Sequence, residues 1–343
     1  MISALFPSCT LLKRLLLLVG VTSTLMFLGS LARCIYNCTA AKGKSLTVYG
    51  AKKNAWAVVT GATDGIGKEY ALQLAKAGFN IVIVSRNPEK LSRVAQEITE
   101  AYRVEVQTYV IDYKIATAAT FQKLAEFLKP FQVTVLVNNV GLSHNMPVSF
   151  SETTEQEMDD IMQINCFGTL HTTKAVLPSM LEQRRSNKNG PRCLILTMGS
   201  FAGLLPSPYL STYAGSKAFL ANWSASLAEE VKKEGIDVWC YQSYLVCSAM
   251  SKVRRPTATI PTPKNFVREA LGSIGVQRGG NQPYISQPFP SHAALSWVLE
   301  QAASRVKGFV VAQVAAMHLS IRSRALRKQA REQQKAKETA ASA

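Results

Sequence analysis

Short runs of almost unbroken apolar residues punctuate the chain at 56–59, 81–84, 104–112 (VEVQTYVID), 133–141 (VTVLVNNVG), 193–200 (CLILTMGS) and 237–246 (DVWCYQSYLV). Between them lie longer stretches with helical periodicity, such as the one that runs to about Ala77. A strand that is apolar at every position has no face to give to water, so alternation of this kind predicts an α/β fold: a doubly wound parallel sheet covered by helices on both sides. Ligands of such sheets bind at the carboxyl ends of the strands. Gly61, Asp112, Asn138 and Ser200 fall at those ends.

Two apolar stretches do not fit the sheet. Between Arg14 and Arg33 lie eighteen uncharged residues, LLLLVGVTSTLMFLGSLA. As a helix they reach about 27 Å, enough to cross a bilayer core of about 30 Å with the flanking arginines reaching outward. The run is longer than the apolar region of a cleaved signal peptide and is followed by basic residues, so residues 15–32 are expected to be a retained transmembrane helix. Lys13 and Arg14 precede it, whereas Arg33, Lys42, Lys44, Lys52 and Lys53 follow it, which places the main domain in the cytosol. On that topology the sequon at Asn37 never meets the glycosylation machinery, and the one at Asn222 sits inside a helical pattern. The second stretch, GFVVAQVAAMHLSI (308–321), is too short to span comfortably and reads as an amphipathic or interfacial helix. The expected partition is 1–51 for anchor and basic linker, 52–290 for a catalytic domain interrupted by a Pro-rich loop (254–265), and 291–343 for C-terminal helices with a basic tail. The loop and the 308–321 segment are expected to form an apolar entrance.

With 343 residues, 47% of them hydrophobic, the chain has room for one large domain and these extensions. The formal charge of +17 would suggest nucleic acid if it were spread over the domain. Instead residues 1–63 and 301–343 carry +7 each, leaving +3 for residues 64–300, as expected for ends that lie near anionic lipid and not for a nucleic-acid groove. Seven scattered cysteines without a CxxC pair point to reduced thiols, and four dispersed histidines suggest no metal site.

The chemistry begins at Gly61-x-x-x-Gly65-x-Gly67, between the first two apolar runs. Glycine there lets backbone approach a pyrophosphate, and the helix that follows presents free N–H groups to it. After the second run stand Ser85-Arg86-Asn87, with no carboxylate for a ribose 2′-hydroxyl. A guanidinium at Arg86 suits a 2′-phosphate, so the cofactor is expected to be NADPH. Ser200 precedes Tyr213 by thirteen residues, and Lys217 follows Tyr213 by four. The latter two share a helix face, where an ammonium would draw the phenol pKa down from about 10. Such a phenol can give a proton to a carbonyl oxygen that a serine hydroxyl holds in place.

In combination, TGxxxGxG, NNxG, the upstream serine and YxxxK resemble the short-chain dehydrogenase/reductase family over roughly residues 52–250. The resemblance implies a single Rossmann-type domain and a catalytic set of Asn165, Ser200, Tyr213 and Lys217. It also implies cofactor contacts at Gly61, Thr63, Asp64, Gly65, Ile66, Gly67, Arg86, Asp112, Asn139, Tyr213, Lys217, Val246 and Ser248. NNVGLSH, YLVCSAMSKVRRPT and PFPSHAALSWVLE, with the N-terminal span, are similar to the membrane-bound 3-ketoacyl-CoA reductases of very-long-chain fatty acid elongation, a group that includes 17β-hydroxysteroid dehydrogenases. That likeness implies an acyl-CoA substrate, the endoplasmic reticulum membrane and other elongation enzymes as partners. A steroid 17-ketoreductase and a non-catalytic membrane scaffold stay open as alternatives. Ser243-Tyr244 stand where many members have Pro-Gly, and Val140 where many have alanine. The sequence ends in TAASA without the dilysine signal often found in this group, so retention is expected to rest on membrane segments or partners.

Overall fold

The computed structural model describes residues 10–341. Helix α1 (Thr10–Thr39) is the one described helix long and apolar enough to cross a membrane. It outruns the eighteen uncharged residues at both ends, and its C-terminal part from Phe27 onward is docked on the domain. There the Trp297 indole N–H donates to Ser30 Oγ at 2.9 Å and its ring lies 5.4 Å from that of Phe27. The Asn37 amide donates to Gln277 O at 2.7 Å, and the Asn37 carbonyl accepts from Arg278 Nε at 2.8 Å. The stretch expected to be a linker is also packed. Tyr49 is fully buried and donates to Asp237 Oδ2 at 2.6 Å, and the same carboxylate accepts from Lys44 and Arg192.

Seven strands follow, all parallel, in the order β3-β2-β1-β4-β5-β6-β7. They are β1 (Trp56–Thr60), β2 (Asn80–Ser85), β3 (Val106–Val110), β4 (Val133–Asn138), β5 (Cys193–Ser200), β6 (Ile236–Ser243) and β7 (Ile285–Ser286). Along β2, Ile81 and Ile83 enter one core with Tyr70, Leu74 and Phe266, while Val82 and Val84 enter the other with Val58, Phe121 and Leu136. Successive side chains point to opposite faces, and here both faces are covered, which is why the run is apolar throughout. The covering helices are α2 (Gly65–Lys76), α3 (Pro88–Tyr102), α4 (Ala118–Leu128), α5 (Glu155–Met162), α6 (Gly168–Ser186), α7 (Ser211–Val231) and α8 (Pro263–Gly272). Strand order reverses between β1 and β4, which opens the ligand crevice at their carboxyl ends.

Two elements are not foreshadowed in the apolar pattern. β7 is two residues long, too short for a periodicity. α8 starts inside the Pro-rich stretch, where Thr262 caps it by accepting from Asn265 N and Pro263 takes the first turn. The last helix, α9 (Pro290–Ala341), bends at Val306 (φ −135°, ψ 45°). Beyond the bend His318 Nδ1 donates to Pro208 O at 2.7 Å, and Arg322 donates to Pro147 O at 3.0 Å and pairs with Glu152. The 308–321 segment therefore packs over the loops that follow β4 and β5.

Candidate active site

The crevice is built from the turn after β1. Gly61 has the left-handed φ of +64°, and its N–H donates to Val84 O at 2.8 Å. Asp64 caps α2 by accepting from Gly65 N at 2.7 Å. The next N–H groups, of Ile66 and Gly67, have no acceptor within the helix and form an anion-binding end. The Ile66 side chain packs on the core. A Cβ on Gly67 would lie 2.2 Å from Gly61 O and 2.4 Å from Asn139 Nδ2, so only glycine lets the helix press against its own turn. Asn139 locks this junction: its N–H donates to Thr60 Oγ1 at 3.0 Å and its amide to Thr60 O at 3.1 Å. We expect Gly67→Ala to force backbone apart, lowering Tm and raising the dinucleotide Kd at least about fivefold, since overpacking costs about 1–3 kcal/mol. Fluorescence titration with NADPH checks this; an unchanged Kd would remove the close-packing argument.

Thr63 Oγ1 lies 3.0 Å from Ser85 Oγ and fixes the end of β2, where Arg86 begins. A cavity of about 180 Å³ runs from Gly61 past Ser85 and Arg86 to Asp112 and Gly141. Arg86 is exposed and makes no ion pair among the described residues. Asp112 Oδ1 accepts from Lys114 N at 3.0 Å. Ser248 approaches the start of α2, its Cβ being 3.6 Å from where a Gly65 Cβ would be. Val246 buries its side chain in the core, and its carbonyl accepts from Ser251 Oγ at 2.6 Å.

At the far end of the crevice Ser200 closes β5 and accepts from Ala202 N at 3.2 Å. The chain then lies directly on α7: a Cβ on Gly203 would come within 2.8 Å of Ala218 N and the Lys217 carbonyl carbon. That contact is how thirteen residues bring Ser200 back to Tyr213. Lys217 is buried, donates to Met198 O at 2.8 Å and sits 5.9 Å from the centroid of the Tyr213 ring. Asn165 lies in a π turn (Gln163–Phe167) between α5 and α6, the kind of helix defect often found at functional sites. Its Oδ1 accepts from Leu142 N at 2.7 Å, and its Nδ2 donates to Leu142 O and Ser216 Oγ, both at 2.9 Å. A Cβ at Gly141 would lie 3.4 Å from Asn165 Oδ1 and 3.5 Å from Lys217 Nζ, so the missing side chain leaves a cradle between amide and ammonium. Turn, anion-binding helix end, free guanidinium and cradle together fit a nicotinamide dinucleotide.

The electrostatics correct one expectation. Burial holds the Tyr213 phenol above its ordinary value, opposed only by a hydrogen bond with Ser200. The pull of the lysine does not outweigh that burial, because its ammonium bonds the Met198 carbonyl and not the phenol. Burial in turn lowers Lys217 to about 8.

The family described as short chain dehydrogenase matches residues 55–259, more than half of the chain. The chain belongs to this family. It is 68% identical over 313 residues to the very-long-chain 3-oxoacyl-CoA reductase of Schizosaccharomyces pombe, covering 91% of this chain and 92% of that one. Its identity to the Aspergillus fumigatus protein of the same name is 46% over 324 residues, covering 92% and 91%. Among solved structures it resembles a short chain dehydrogenase of Shigella flexneri complexed with NADP, with a TM-score of 0.58 and 26% identity over 70% of this chain and 97% of that one.

The segment after β6 is held by a residue that sequence reasoning missed. Tyr244 N donates to His292 Nδ1 at 3.3 Å, and His292 Nε2 donates to Thr259 O at 3.0 Å. The rings of Phe201, Tyr244 and Phe289 surround the imidazole. One buried side chain thus ties together the position that many relatives fill with Pro-Gly, the 254–262 loop and the start of α9. The only sequence signal was a histidine in an otherwise apolar stretch. Burial lowers His292 to about 4, so the folded protein keeps it neutral while the unfolded chain takes a proton near 6.5. Its contribution is complete above pH 6.5 and is lost as pH falls toward 4, amounting to about 3 kcal/mol at about 1.36 kcal/mol per pH unit. Comparing denaturant unfolding of wild type and His292→Gln should show their stability difference shrinking from pH 7 to pH 4.5. A constant difference would assign the acid sensitivity elsewhere.

Proposed function

We propose that the protein reduces 3-oxoacyl-CoA of long to very long chain to 3-hydroxyacyl-CoA, with NADPH as reductant and Asn165, Ser200, Tyr213 and Lys217 as its catalytic groups. The observation that carries this reading is the convergence of Ser200, Tyr213 and Lys217 at the edge of the crevice, in a chain so similar to reductases of that name. When bound, the dinucleotide supplies the hydride. Tyr213, kept protonated by burial, donates its proton to the ketone oxygen, and the Ser200 hydroxyl fixes that oxygen. Lys217 is mostly charged at neutral pH; it stabilises the phenolate left behind and offers donors to the nicotinamide ribose. Asn165 holds the Leu142 backbone against the start of α7.

For the cofactor, Gly61, Thr63, Asp64, Gly65, Ile66, Gly67 and Asn139 shape the pyrophosphate end, Arg86 meets the 2′-phosphate and Asp112 the adenine. Val246 and Ser248 border the nicotinamide side. Lys252, Arg254 and Arg255, none of them in an ion pair among the described residues, offer charge to the CoA phosphates. α1 anchors the protein in the endoplasmic reticulum membrane with the catalytic domain in the cytosol, beside the elongation enzymes that supply its substrate and take its product. The chain then divides into anchor (1–51), catalytic domain (52–290) and C-terminal helices (291–343).

The test is an assay of the full chain in membranes with NADPH against 3-oxoacyl-CoA of graded length and a 17-ketosteroid. Turnover of the long acyl chains is expected. Turnover of the steroid alone would make it a steroid reductase, and NADPH binding without turnover of any ketone would make it a scaffold.

A further inference from the structure

We propose that the acyl chain lies in a cavity of about 280 Å³ between the loop after Ser200 and the first half of α9, and that it enters there from the bilayer. The proposal rests on the acyl-CoA reading above. Three observations carry it.

The first is position. Leu204 and Leu205, on one wall, lie between Ser200 and Tyr213 in the chain and directly follow the glycine that rests on the Lys217 backbone. Ile285, on the floor, packs with Cys240 and with Ala221, one helical turn beyond Lys217. The cavity thus borders residues that pack against the backbone of Lys217 and the turn of helix after it.

The second is chemistry. Leu299 and Ala303 of α9 complete an apolar lining with Leu204, Leu205 and Ile285. Two of the polar side chains at the wall, Gln287 and Glu300, are already engaged. Gln287 donates to Gln242 Oε1 at 2.8 Å and accepts from Gly280 N at 3.2 Å, and the Glu300 carboxylate accepts from Asn281 N at 3.1 Å. A wall that is mostly apolar, with two of its polar side chains already paired within the protein, suits an alkyl chain.

The third is the mouth. The elements that line the cavity are those on which α1 docks: Arg33 hydrogen-bonds Asn281, next to Gly280 and Gln282 of the lining, and Trp297, next to Ser296, seats on Phe27 and Ser30. The bend in α9 beside the cavity leaves apolar side chains uncovered, with Val306 49% and Phe309 65% exposed, and Lys307 at the rim. Exposed apolar groups beside a lysine, adjoining a docked apolar helix, match a membrane interface. A long acyl chain gains about 0.8 kcal/mol per CH₂ on entering lipid, so a lateral mouth spares it the passage through water.

This moves the entrance from where the sequence suggested it. The 254–265 loop is tied to Ser291 and His292, and the 308–321 helix is tied to Pro208, with Val310 buried. Both brace the site; neither lines this cavity.

The test uses the full chain in phosphatidylcholine liposomes with a long-chain 3-hydroxyacyl-CoA carrying a diazirine at the end of its acyl chain. After irradiation, adducts are expected on 204–205 and 296–307. Adducts confined to 254–262 or 310–321, or none on the protein, would overturn the proposal. Leu299→Trp and Ala303→Trp provide an independent measurement. By narrowing the cavity they should lower the ratio of kcat/KM for a long 3-oxoacyl-CoA to that for acetoacetyl-CoA at least tenfold. An unchanged ratio would overturn it too. If wild type labels in the cavity yet reduces no 3-oxoacyl-CoA, the channel stands as an alkyl site and the parent reading falls.

Discussion

Tyr213→Phe is expected to lower kcat by about 10²–10⁴-fold while leaving the NADPH Kd within about threefold, because it removes a general acid and almost no packing volume. The phenol is held protonated by burial and touches Ser200, so the variant loses the proton donor and one partner of the serine. The chain around it stays in place: Ser200 keeps its bond from Ala202 N, and Lys217 keeps Met198 O. Stopped-flow reduction of a 3-oxoacyl-CoA checks kcat, and fluorescence titration checks binding. A loss below about tenfold, or about 1.4 kcal/mol of barrier, would contradict the assignment. The wild-type pH profile adds a second constraint. Lys217 loses its charge as pH rises through about 8, well before the phenol titrates, so reduction should decline through that region. A rate that stayed level to pH 9.5 would argue against a working ammonium.

The features that were legible in the sequence are those encoded in neighbouring residues. The fifth strand coincides with the run 193–200, because a strand buried on both faces must be apolar at each step. The turn at Gly61–Gly67 and the shared face of Tyr213 and Lys217 are likewise local geometry. What was not legible depends on contacts between distant segments. Asn165 could be named by resemblance, but its bonds to Leu142 and Ser216 depend on how a π turn faces two other elements. The lysine–phenol relation was misjudged because spacing places two groups on one face without saying which acceptor the ammonium takes. His292 draws its role from Tyr244 and Thr259, and the cavity wall joins Leu204 to Ala303. Neither pairing leaves a periodic trace, since topology brings those segments together.

Arg86→Asp should reverse the cofactor preference, changing the NADPH-to-NADH ratio of kcat/KM by about 10²–10³-fold, or roughly 3–4 kcal/mol. A bidentate guanidinium–phosphate contact contributes about 1.5–3 kcal/mol, and the new carboxylate adds repulsion of the 2′-phosphate while accepting from a 2′-hydroxyl. The position is suited to a clean substitution. On one side Ser85 is held by Thr63, and on the other Asn87 caps α3 by accepting from Lys90 N at 2.7 Å, so the backbone at residue 86 is fixed whatever side chain it bears. Arg86 itself is exposed and outside every ion pair among the described residues, so stability should change by less than about 0.5 kcal/mol. Steady-state kinetics with both cofactors, paired with a thermal melt, separates the cases. If the ratio does not move while the protein remains folded, Arg86 is a solvated loop residue and the 2′-phosphate is read elsewhere in the crevice, with Lys114 the nearest remaining cation in its lining.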